Sequence, residues 1–140
     1  IGEDGEDHRP VVIHRAILGS TERFMSFLLE ETKGNLPVWL APHQVKILPI
    51  SEKFTDYANE IKNKLVEKDF RVDVDSRSEK IGYKIREAQL MKVPYMIVVG
   101  EKEQENGTVS VRRRGEGDIG AMKLDEFIEK LAKEVENKGM

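Results

Sequence analysis

At 140 residues and 39% hydrophobic content the chain suffices for one compact domain plus an appendage, and it can bury a core without staples. It contains no cysteine, which excludes disulfides and thiolate metal sites and suits a reducing compartment. A net charge of −3 excludes non-specific coating of nucleic acid, which rests on neutralising many phosphates, but leaves room for a partner read at a few positions.

No apolar run approaches the ~20 residues of a membrane span, and no signal peptide is visible. The chain opens on Ile1 rather than methionine and is expected to be a piece of something longer. After an acidic start, "IGEDGED", the β-branched run "RPVVIHRAIL" predicts a buried strand. "GSTERFMSFLLEETKG" predicts a helix capped by Ser20 and stopped at Gly34. Its apolar surface, with Phe24, Met25, Phe27, Leu28 and Leu29, is wide enough to expect neighbours on more than one side. Pro37 and Pro42 interrupt regular pairing, and the domain boundary is set there, giving units 1–36 and 37–140.

Beyond it the pattern predicts strand "VKILPI", a helix from Ser51 to about Lys68 and strand "FRVDV". A helix from Ser78 to about Lys92, with Ser78 as its cap, and strand "YMIVVG" follow. Asn106-Gly107 predicts a hairpin turn into "TVSVRRR", and a last helix runs from about Leu124 to Asn137. Two right-handed crossovers make three strands parallel, and the hairpin makes the next antiparallel. The fold class is therefore α/β: a three-layer mixed sheet of about five strands flanked by helices, preceded by a strand-helix remnant.

Three stretches can carry chemistry. Arg23 opens a helix behind a Gly-Ser turn, where an anion could dock on helix N–H groups and a guanidinium; from spacing alone a surface arginine paired with Glu22 or another carboxylate is the commoner case. His14 stands alone on an apolar strand, where a hydrogen-bonded core histidine is commoner than a ligand, since zinc wants three or four protein ligands. "DSRSEKIGYKIRE" is basic through Arg77, Lys80, Lys84 and Arg86 and is either a solvated helix face or an RNA-facing one. Gly82 within that helix suggests close approach of another backbone. In "GEKEQENGTVSVRRRG", Glu103 and Arg112 flank the Asn-Gly turn. A carboxylate there can accept both N1–H and N2–H of an unstacked guanine, with the arginine bonding base oxygens or stacking; the alternative is a weak cross-strand salt bridge.

Taken together, "HRPVVIHRAILGSTERF" resembles the third motif of class II aminoacyl-tRNA synthetases in its threonyl form. "LPVWLAPHQVKILPI", "RSEKIGYKIREAQLMKVPYMIVVGEKE" and "VSVRRRGEGDIGAM" resemble the threonyl-type anticodon-binding domain. The resemblance implies the class IIa anticodon-binding fold after the end of a catalytic domain, and recognition of tRNA-Thr within an ATP-dependent ligase working through threonyl-adenylate. It implies that Arg23 contacts ATP phosphate, that Ser20 lies near the substrate pocket, and that His14 is one of three zinc ligands. It places Glu103 and Arg112 at the anticodon bases, and Ser78 and Lys80 near the anticodon stem and loop; asparagine is common in that family where Ser78 stands. Zinc and ATP-magnesium would belong to the parent, with none expected on this piece, which alone is expected to be inactive. The parent would be a cytoplasmic homodimer with no membrane or DNA partner. A non-catalytic synthetase-like accessory module is the alternative, and a flavodoxin-type ligand domain is a third, disfavoured because "LPISEKF" offers no Gly-rich phosphate loop.

Overall fold

β1 (Val45–Pro49) is the hub of the molecule: all five of its residues are buried, the mark of a strand covered on both faces. The computed structural model describes residues 1–138. Helix α1 (Thr21–Thr32) precedes β1. After it come a 3-10 turn (Glu52–Phe54), α2 (Thr55–Val66), β2 (Val72–Val74), α3 (Ile81–Leu90) and β3 (Tyr95–Val99). The chain continues through α4 (Glu101–Asn106), β4 (Thr108–Arg113), β5 (Gly117–Lys123) and α5 (Leu124–Glu136). The sheet order is β2-β1-β3-β4-β5, with β2, β1 and β3 parallel and β4 and β5 antiparallel.

Alternation along the strands sends one set of side chains to each face. Val45, Ile47, Tyr95, Ile97, Val109 and Val111 form the larger core with Ile61 and Leu65 of α2 and Phe127 and Leu131 of α5. Leu48 and Met96 point the other way and meet Ala88, Ile81 and Ile85 of α3. Along α5, Leu124, Phe127 and Leu131 recur at helical spacing and are buried. Phe127 stands edge-on to Tyr95 at 5.5 Å between centroids, a favourable aromatic arrangement. The Tyr95 hydroxyl donates to Glu134 at 2.6 Å, and burial followed by that bond pushes its pKa up.

Several expectations change. Residues 9–20 carry no strand: Val11, Val12 and Ile13 are exposed at 88%, 69% and 83%, because no neighbouring strand supplies ladder partners for an isolated one. The sheet of about five strands is completed by β5, a strand the sequence pattern did not mark and which composition hides behind the glycines of "GEGDIG". Asn106-Gly107 is not a two-residue hairpin turn; Asn106 ends α4 and Gly107 (φ 63°) is its left-handed stop. The antiparallel pairing across it holds. Helix α3 starts at Ile81 with Lys80 at the cap position, so Ser78 is not its N-cap. Gly82 faces open space, and no backbone approaches it. Ser20 does cap α1, accepting the Arg23 N–H at 3.3 Å, and Gly34 (φ 74°) adopts the left-handed stop, following Lys33 at φ 52°.

Candidate nucleic-acid interface

In a sheet of order 2-1-3, ligands bind beyond the carboxyl ends of the strands, where connections from neighbouring strands depart in opposite directions. That point lies here between β1 and β3. Beyond it, Ile50, Ser51, Lys53, Ser78, Lys80 and Lys84 line one cleft. Ser78 and Lys80, separated from the strands in sequence, thus come together with the residues that follow β1. Glu103 sits on the same edge in the first turn of α4, three residues after Gly100, against which the Ile50 side chain lies close. One Glu103 carboxylate oxygen accepts the Gly100 N–H at 2.9 Å, which holds the carboxylate at the helix start. The other oxygen has no hydrogen-bond partner among the described residues.

Arg112 is not beside Glu103. It pairs in register with Met96, four residues along β4 from Thr108, or ~13 Å at strand rise. Its side chain joins Gln89, Val93, Met96, Arg114 and Gly117 in a second cleft between the end of α3 and the β4–β5 hairpin. The cross-strand bridge it makes is to Asp118 at 3.1 Å, not to Glu103, because α4 fills the space where a tight hairpin would have brought the pair together. Arg112 Nε is buried with no hydrogen-bond partner among the described residues, an orphan donor at the wall of a cleft.

The loop joining β2 to α3 is held rather than loose. Arg77 donates to both Asp75 carboxylate oxygens, at 2.8 Å and 2.6 Å, and also bonds Glu87 on α3. The guanidinium beside Asp75 keeps its carboxyl below the usual carboxylate range, and does the same to Glu87. A lowered folded-state pKa contributes stability that is complete above the unfolded value of about 3.9 and is lost as pH falls through the folded value. Asp75→Asn should therefore flatten the acid limb of melting temperature against pH below about 4; a limb of unchanged slope would mean that the clamp adds nothing.

Of the four basic residues expected on a solvated or RNA-facing helix, Lys84 is neither, being only 2% exposed. Its ammonium donates to the carbonyls of Pro49 at 3.1 Å and Asp75 at 3.0 Å. The helical period carried this information, since Lys84 falls between Ile81 and Ala88 on the buried stripe. Arg77 is tied up in the clamp, which leaves Lys80 and Arg86 as the cations of that stretch without an ion pair among the described residues.

At the other end of the chain, Arg23 and His14 are exposed and neither forms a salt bridge among the described residues. His14 is thus no core histidine, and Arg23 does not pair with Glu22. No group of three or more His, Cys, Asp or Glu among the described residues is disposed to hold a metal ion. The linker between α1 and the sheet is fastened by Arg114, which donates to the carbonyls of Leu36 at 2.8 Å and Lys92 at 2.6 Å.

Residues 44–134, which span the sheet, both clefts and most of α5, match the family model described as anticodon binding domain. The chain belongs to that family. As an anticodon-binding domain it is similar to the threonine–tRNA ligase of Clostridioides difficile (strain 630), 62% identical over 138 residues. It is also similar to that of Caldanaerobacter subterraneus subsp. tengcongensis, 56% identical over 140 residues. The matches cover 99% and 100% of this chain but 22% of each relative's length. The crystal structure of the RNA binding domain of threonyl-tRNA synthetase from Cryptosporidium parvum Iowa II superimposes with a TM-score of 0.81 at 42% identity. That alignment covers 91% of this chain and 32% of the other. The five-stranded α/β architecture expected from the sequence is the architecture of this family.

Proposed function

We propose that the chain reads the anticodon of tRNA-Thr as the C-terminal part of a threonine–tRNA ligase. The observation that carries this reading is an anticodon-binding domain whose strand ends present an oriented carboxylate, Glu103, and an uncommitted lysine, Lys80. Single-stranded RNA is recognised on splayed bases, each on its own platform. Threonine anticodons carry guanine in the middle and uracil next to it. Glu103 takes the guanine, its carboxylate accepting N1–H and N2–H. Arg112, four residues down β4 from Thr108 in a cleft of its own, takes the neighbouring base, and its orphan Nε is a donor suited to a uracil oxygen. Ser78 and Lys80 face the stem and loop backbone.

In the parent, residues 1–36 close the catalytic domain: Arg23 contacts ATP phosphate, with magnesium bound to the nucleotide, and Ser20 lies near the threonine pocket. The parent is a cytoplasmic homodimer. The resemblance also implies a zinc ion with His14 among its ligands. One exposed histidine does not fit a zinc site by itself.

The test is a titration of the 140-residue chain with a tRNA-Thr anticodon stem-loop and with the same stem-loop carrying adenine at the middle position. The expected result is a preference for guanine of about tenfold or more, the worth of one base-reading contact. Equal affinity for the two would overturn the reading.

A further inference from the structure

The last backbone bond between β1 and β2 is donated by Asp75 N–H to the Ile47 carbonyl at 2.9 Å. Past it the two segments part. One lip turns toward the sheet centre, with Ile50 N–H donating to Val99 at 2.9 Å. The other departs as the loop that carries Ser78 and Lys80 into α3. The first carbonyls beyond the ladder, of Pro49 and Asp75, have no strand partner, and both accept from Lys84. A lysine side chain therefore continues the ladder at the point where the chains diverge and the cleft opens.

Placing a cation there is costly. Burying an ammonium without a carboxylate partner carries a desolvation penalty, and among the described residues Lys84 forms no salt bridge. Two carbonyl dipoles offset part of that penalty, and an apolar residue on an apolar helix stripe would avoid it. What the ammonium supplies, and an apolar residue cannot, is a fixed tie from α3 to both lips at once. Arg77 reinforces the outer lip by bridging Asp75 to Glu87 on the same helix.

We propose that Lys84 is a positioning residue for RNA recognition: it holds the Ser78–Lys80 lip against the β1 lip so that Lys80 meets its phosphate without an ordering cost. Pre-organisation of this kind raises affinity by removing the entropy of fixing a loop on binding. The inference rests on the anticodon reading above.

The experiment is a double-mutant cycle on the 140-residue chain, using Lys84→Met, Lys80→Ala and the double variant, with the tRNA-Thr anticodon stem-loop as probe. Binding is measured against salt at a temperature well below the melting midpoint of each variant. Lys80→Ala should weaken binding and lower the salt slope by about 1, as loss of one phosphate contact does. Lys84→Met should weaken binding about tenfold, and Lys80→Ala added to it should cause little further loss, because the lip is already released. Additive effects, or unchanged affinity of Lys84→Met despite a lowered melting point, would reduce Lys84 to a structural residue and overturn the proposal. So would Lys84→Met lowering the salt slope while Lys80→Ala still acts at full size, since Lys84 would then contact phosphate itself. If Lys84→Met does not fold, Glu87→Gln loosens the same lip from outside; a loss of roughly threefold is expected, in the range of one exposed charge pair, and no loss overturns the proposal. Failure of the unsubstituted chain to prefer guanine would instead remove the anticodon reading beneath it.

Discussion

Glu103→Gln is expected to weaken binding of the tRNA-Thr anticodon stem-loop by about 1–3 kcal/mol and to remove most of the preference for guanine at the middle position. The amide keeps one oxygen, which can still accept the Gly100 N–H now bonded at 2.9 Å, so α4 should start where it does. What the substitution removes is the second acceptor, replacing it with an N–H₂ group aimed at guanine's own donors. Arg112 does not confuse the result, because its partner is Asp118 and not Glu103. Stem-loops with guanine and with adenine, each titrated with both proteins, give four affinities. Should the guanine preference survive at full size in Glu103→Gln, the carboxylate is not the reader.

The largest effect on stability is expected from Phe127→Ala. Phe127 is 0% exposed and belongs to the core shared by α2, α5 and the sheet. Truncating a buried phenylalanine to alanine costs about 3–5 kcal/mol through lost transfer energy and the cavity left behind. The edge-on contact with Tyr95 is lost as well. Urea unfolding followed by circular dichroism should show a lower midpoint with little change in slope. Affinity for the stem-loop, measured where the variant is still folded, should change little, since α5 covers the face of the sheet opposite α3. A stability loss below about 1 kcal/mol would show that α5 is not docked as described.

Much of this protein is legible in the sequence because it follows from local rules. A 3.6-residue period in the sequence marks the faces that α2 and α5 bury, and the short apolar runs "VKILPI" and "YMIVVG" mark β1 and β3 as strands. Strand–helix alternation then dictated right-handed crossovers and hence parallel pairing. The resemblance of the "IGYKIRE" and "VPYMIVVG" stretches to a known family carried the functional reading, and the family match to residues 44–134 agrees with it.

Other features depend on what lies opposite in space. "VVIHRAIL" has the composition of a strand, but a strand exists only where a neighbour pairs it, and residues 9–20 have none. Asn106-Gly107 suits a tight hairpin, yet the preceding residues close a helical turn, and Gly107 serves the same positive φ as a helix stop. That single difference moves Glu103 from a hairpin arm to a helix start and separates it from Arg112. β5 escaped delineation because its glycines weaken the strand pattern, while pairing with β4 supplies what propensity lacks. Lys84 is the clearest case. Its charge pointed to solvent and its helical position to the core, and only the two carbonyls waiting beyond the β1–β2 ladder decided between them.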